Sequence, residues 1–344
     1  MAIRLILLFC LTNSLNALGV NVVLEPQVRQ NTRYFSAEMM LPPLPLSQYS
    51  SCESPAESSN IGLHCRSIPV VYTNSPVTIS RWLSENLSSH ECVLGFDVES
   101  NPSTPWTIHP RFEGPCTVQL ATTDACLVVH LFRKSGGPSM AAAPILEAVL
   151  SEETIIKAGV GIDKDLIELC NAWGALNAKS RLNLGGIGVG PNGKETTGLK
   201  RLSKAILHVD LLKSRKLAAG NWNQMPLSDK QIAYCARDAW AGAAIVDELN
   251  ARDPDTFSPR RLQSLLQNQQ SIEEMTALAM ERKSARTELT GLMAPFQTRR
   301  YRKRIPTSVR RDVSRLQSTI KALRPNPPLT FDVSSLGIKI ERSI

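Results

Sequence analysis

No two of the eight cysteines, at 10, 52, 65, 92, 116, 126, 170 and 235, form a CxxC pair, and no Cys/His spacing typical of zinc occurs among them. A zinc centre built on such a pattern is therefore excluded. His109 and His130 stand isolated in the chain, which reads as structural histidine rather than as a ligand set. Cys92, Cys116 and Cys126 fall in or beside strand-like apolar runs, and Cys170 and Cys235 fall in helix-like ones. These are expected to be buried free thiols, which suits a reducing compartment better than a disulfide framework does. No internal repeat of solenoid period is present either.

The chain also lacks the uninterrupted apolar run of about 20 residues that an anchor helix needs. Ile3–Leu11 is nearly all apolar behind Arg4, but Thr12, Asn13, Ser14, Asn16 and Asn21 break it. With the small residues Ala17-Leu18-Gly19 following, residues 1–19 read as a secretory or organelle-entry segment, mitochondrial or plastid, while a nuclear site stays open. A phosphate-binding loop is incomplete as well. Gly188 to Lys194 supplies the glycines and the lysine, yet Glu195 stands where a magnesium-binding Ser or Thr belongs. The stretch 185–198 is read as a glycine-rich loop.

What the chain has is an ordinary globular composition, 42% hydrophobic and 20% charged, over 344 residues. Its charge is uneven. Residues 299–324 carry ten Lys or Arg against Asp312 alone, a surplus of nine, while the whole chain is +8. The remainder is thus close to neutral, and the basic character belongs to a tail. Residues 20–66, with Pro42, Pro43, Pro45 and a Ser/Glu/Pro cluster at 47–59, are expected to be a flexible leader. Structure is expected from residue 67 to 251, with a basic helical or disordered extension over 252–344.

Inside that region, strands are predicted at 68–72, 92–99, 116–122, 126–131 and 155–161, with Thr123-Asp124-Ala125 joining a hairpin. Helices are predicted at about 75–87, 138–153, from 164 through Trp173, at 199–207 and at 228–249. The last opens with a capping box, Ser228-Asp229-Lys230-Gln231. An amphipathic helix is predicted over 262–287 and a second over 309–323. The alternation of strands and helices indicates an α/β layer fold.

Chemistry collects in two places. In Phe96-Asp97-Val98-Glu99 the strand period of two puts both carboxylates on one face and Val98 on the other. Two like charges side by side repel, and a cation between them removes that cost. In Tyr234-Cys235-Ala236-Arg237-Asp238, a phenol and a carboxylate four residues apart share one helix face. Taken singly, each has an ordinary explanation, a chance pair on a strand or a surface pair on a helix.

Together with Gly159-Val160-Gly161-Ile162-Asp163-Lys164-Asp165-Leu166, these motifs resemble the DEDDy-type 3′–5′ exonucleases. The likeness is to the Werner syndrome protein exonuclease branch and, more distantly, to ribonuclease D. It covers about residues 68–250, with Asn221-Trp222 ahead of Pro226-Leu227 also matching. The resemblance implies a ribonuclease H-like mixed sheet flanked by helices. It implies that Asp97, Glu99, Asp165 and Asp238 hold two divalent ions, Mg²⁺ or Mn²⁺, and that Tyr234 orients the attacking water. Asp165 is the family position, and Asp163 is expected to cap the helix. The implied partner is a DNA or RNA 3′ end. The basic run Arg299, Arg300, Arg302, Lys303 and Arg304 is a candidate contact for its phosphates. Arg237 and Trp240 depart from the family pattern. The alternatives are a catalytically silent nucleic-acid-binding module on the same fold, and an adaptor whose tail binds acidic partners.

Overall fold

A computed structural model of the chain describes residues 32–35, 68–87, 92–101, 114–132, 138–188, 197–211, 214–296 and 305–340. The candidate contacts Arg299, Arg300, Arg302, Lys303 and Arg304 lie outside these residues, as do the segment 1–19, His109 and most of the 185–198 loop.

A seven-stranded mixed sheet runs through the centre. Its strands are β1 (Thr32–Phe35), β2 (Val70–Thr73), β3 (Cys92–Asn101), β4 (Gly114–Ala121), β5 (Cys126–His130), β6 (Ile155–Gly159) and β7 (Arg181–Asn183), in spatial order 1-2-5-4-3-6-7. β3, β4 and β5 form an antiparallel meander, and β6 and β7 add in parallel beyond β3. Two strands differ from expectation. β1 pairs antiparallel with β2, so part of the leader adds an edge strand. β7 is three residues long, too short for its alternation to register as a strand in sequence.

The sheet separates two apolar layers. On β3, Leu94, Phe96 and Val98 face α1 (Pro76–Asn86), α2 (Ala143–Ser151) and α3 (Ile162–Trp173). The opposite face receives the short α4 (Leu199–Leu202) and α5 (Arg215–Ala218), and above all α6 (Asp229–Arg252). Side-chain caps open α1 and α6. Ser75 accepts from the Thr78 amide to open α1, and Ser228 and Gln231 form the reciprocal capping box of α6. Such a cap contributes about 1 kcal/mol.

After residue 251, where a basic helical or disordered extension is expected, the helices are divided differently from the prediction. In place of one helix over 262–287 there are α7 (Pro254–Phe257), α8 (Pro259–Leu266) and α9 (Ile272–Met293), followed by α10 (Thr307–Ala322). The break has a local cause. Ser271 and Glu274 form a second capping box, which starts a new helix where the old one would have continued. Leu262 and Leu266 enter the α6-side core, and Ile272 and Met275 enter the other. The last described segment returns to the domain. Phe331, Val333 and Ile338 are buried in the α6-side core, and the backbone of Phe331 exchanges hydrogen bonds with Gly186 and Gly188.

Candidate active site

β3 runs between β4 and β6, so its register decides where its carboxylates lie. Asp97 stands opposite Gln119 and Glu99 opposite Thr117, and a register shift follows between Glu99 and Ser100. Asp97 and Glu99 are half-buried on the α6 face, while Val98 is buried in the opposite core. The strand alternation read from the sequence therefore holds.

α6 lies against this strand with almost no side chain between the backbones. A Cβ on Gly95 would land on the Ala239 carbonyl oxygen, and one on Gly242 would come within 2.5 Å of the Ala158 carbonyl oxygen. Only glycine permits an approach this close. The approach places Asp238, one residue before Ala239, over the acidic strand. Asp97, Glu99 and Asp238 each bring one carboxylate oxygen within 4.8 Å of the others. Asp238 is only 4% exposed. Three converging carboxylates, one of them buried, form an oxygen-only donor set that fits a hard divalent cation. The charge left uncompensated without a cation is the physical reason to expect one.

Tyr234, one turn earlier, is buried with its ring 6.1 Å from that of Trp222. Burial, and then the negative charge of Asp238, push its phenol well above the usual range, so it stays protonated. Asp165 lies outside the trio yet close enough to feel Asp97. Burial first, and the Asp97 charge second, push its carboxyl up to about 8. It reaches the site from the opposite layer, at the start of α3, which follows β6 through Gly161 in a left-handed conformation, φ +79°.

Asp163 has a different task from the one expected. Gly161 occupies the cap position with no side-chain cap bond, and Asp163 accepts a 2.9 Å hydrogen bond from Nε of the buried Arg181 on β7. A helix-start acid next to a buried arginine is held by the ion pair more firmly than by the helix dipole.

A layer of polar residues beneath the acids was not anticipated. Thr117 and Gln119 of β4 are fully buried, and the Gln119 amide donates to the Thr117 hydroxyl and, at 3.2 Å, to the Cys235 sulfur. Each is the register partner of one of the two strand acids, and register is a tertiary fact. The entry to α6 is pinned by His130, as a structural histidine should do. The Trp222 carbonyl can only accept, so His130 Nε2 donates to it at 3.0 Å, and Nδ1 of the neutral ring accepts at 2.7 Å from the Tyr72 hydroxyl, which itself accepts from the Leu227 amide. Arg237 turns back to the Ala233 carbonyl, and Trp240 donates to Thr123 in the β4–β5 turn. Neither departure from the family pattern intrudes on the acids.

Comparison with known proteins agrees with this geometry. Residues 77–252 match the 3′-5′ exonuclease family. A 3′-5′ exonuclease of Arabidopsis thaliana is 31% identical over 151 residues, covering 43% of this chain and 49% of the relative. The bifunctional 3′-5′ exonuclease/ATP-dependent helicase WRN of Mus musculus is 31% identical over 176 residues, 49% of this chain and 12% of the relative. The chain thus spans half or less of the length of both. Among solved structures, the Aedes aegypti Nibbler EXO domain aligns with a TM-score of 0.43 at 18% identity, over 57% of this chain and 94% of that one. With a matched segment that spans half of the chain and contains Asp97, Glu99, Asp165, Tyr234 and Asp238, this protein belongs to the 3′–5′ exonuclease family.

Proposed function

We propose that the chain is a divalent-metal-dependent 3′–5′ exonuclease, hydrolysing the terminal phosphodiester bond of a DNA or RNA strand and releasing nucleoside monophosphates. The observation that carries this reading is the convergence of Asp97, Glu99 and Asp238 within 4.8 Å, from a strand and a helix far apart in the chain.

Asp97, Glu99 and Asp238 would hold one cation, and Asp165, beside Asp97, would take part in holding a second, either Mg²⁺ or Mn²⁺. When bound, such a pair neutralises the attacked phosphate and makes a water more nucleophilic. The protein's own groups supply position. Tyr234, kept protonated by burial and by Asp238, gives its proton to that carboxylate in a hydrogen bond. Its oxygen can then accept from a water and set that water's orientation. The Gly95 and Gly242 approach holds Asp238 and Tyr234 at a fixed height over the strand. Water orientation thereby becomes a property of the fold.

A 5′-labelled oligonucleotide with Mg²⁺ or Mn²⁺ should yield a ladder shortening from the 3′ end, and chelation should abolish it. Asp97→Ala should slow the reaction at least about a thousandfold, since several kcal/mol of charge stabilisation is removed. No ladder from the wild type, or an equally active variant, would leave a silent binding module as the better description.

A further inference from the structure

Glu99 and Asp165 open onto a groove of about 750 Å³, and one wall of it comes from outside the family-matched region. Glu99, Asp165 and Glu168 line one side, and Ala279, Met280 and Lys283 of α9 line the other. That volume falls within the roughly 300–1,000 Å³ of pockets that enclose small ligands, enough for a nucleotide-sized segment.

α9 is firmly placed. Its first turns bury Ile272, Met275 and Thr276, and it packs along α3. Arg181 donates to the Gln270 carbonyl at 2.6 Å, and the Gln269 side chain bonds both backbone groups of Arg181. The position of the wall is therefore set by the same buried arginine that holds α3.

The wall pairs two kinds of surface. Met280 is 58% exposed, an unusual state for a large thioether, and Lys283 follows one turn later on the same side of the groove. Opposite them, Glu168 is already engaged by the Ser100 hydroxyl at 2.6 Å and by Lys164 at 3.4 Å. Further along, the Arg282 guanidinium lies beside Arg286 and Arg324, with its Nε buried and without a hydrogen-bond partner. Gathered like charges of this kind are relieved by an anionic chain. An apolar patch followed by spaced cations matches the alternation of base and phosphate along a strand.

We propose that α9 is the track along which the nucleic-acid strand enters the site. Met280 packs against a base next to the scissile bond, Lys283 binds a phosphate close to it, and Arg282, Arg286 and Arg324 take the backbone further out. This rests on the exonuclease reading above.

The test uses the full chain and fluorescein-labelled 12-nucleotide RNA and DNA strands. Binding is read by anisotropy with Ca²⁺, and cleavage with Mn²⁺. Lys283→Glu should raise Kd about tenfold and reduce the slope of log K against log salt by about 1. KM should rise more than kcat falls, and Lys283→Arg should restore most of the loss. Replacing single phosphates by neutral methylphosphonates should reveal one position that weakens wild-type binding but not that of Lys283→Ala. Binding within twofold of wild type for Lys283→Glu, or the absence of any such position, overturns the proposal. If the wild type cleaves nothing but the binding effects appear, the exonuclease reading fails and the track stands. If cleavage is normal and Lys283→Glu behaves as wild type, the track fails and the exonuclease reading stands.

Discussion

The two faces of the sheet beside β3 and β6 are held together by different physics. On the α6 face the contact is backbone on backbone, through Gly95 and Gly242, with the buried polar pair Thr117 and Gln119 packed beside it. On the α3 face, two adjacent cations are buried side by side. Lys157 of β6 is fully buried, Arg181 of β7 is 4% exposed, and the two occupy register-paired positions. The first face sets the distance between Asp238 and Asp97 by shape. The second sets Asp165 and α9 by ion pairing and by bonds to carbonyl oxygens. A shape contact is insensitive to pH and salt, whereas buried charges make the other face conditional.

The largest effect should come from filling the glycine contact. Gly95→Ala should destabilise by about 3 kcal/mol or more, because the clash is with backbone that cannot rotate away. Thermal unfolding measures it. A melting temperature within about one degree of wild type would mean that α6 can lift off, and that the rigid face is not rigid.

Next, Arg181→Met should cost about 3 kcal/mol in urea unfolding, because it leaves Asp163 and the carbonyls of Ala178 and Gln270 without their partner. The double variant with Asp163→Asn should recover part of that loss. If it recovers nothing, the ion pair contributes little and the carbonyl bonds hold α9.

The smallest change, and the one opposite in sign, concerns Lys157. Burial, partly offset by Glu152, lowers its pKa from 10.5 to about 7, and its ammonium donates to the Glu152 carbonyl at 2.8 Å. A lysine depressed in the folded state holds fewer protons there than in the unfolded chain. Its penalty is therefore complete below about pH 7 and fades as pH rises towards 10.5. Wild-type stability should rise from pH 7 to pH 9. Lys157→Met should stabilise by about 2 kcal/mol at pH 6.5 and by much less at pH 9. Equal gains at both values would show that the folded-state lysine stays charged up to pH 9, its pKa not depressed.

Much of this could be read in advance, for a physical reason. Side-chain period along β3, the i, i+4 pairing of Tyr234 with Asp238 and the Ser228 capping box are local geometry, and each stands as predicted. Where signals were short or non-local, the sequence reading failed. β7 has three residues, β1 depends on a partner strand, and the return of Phe331 to Gly186 spans well over a hundred positions. The family pattern separates Asp165 from Asp163 in the chain, but the task of Asp163 depends on the arrival of Arg181 from β7.

The order of the motifs and the chemistry of their side chains determined by themselves that four carboxylates and a phenol stand on one strand and two helices. Residue type and local spacing survive any packing. Which of these groups meet, and how closely, was decided by tertiary structure. The meeting depends on two glycines that let α6 touch β3, and on a buried arginine that ties α3 and α9 to the sheet edge. Those are contacts between distant segments, and their energies exist only once the chain has closed around them.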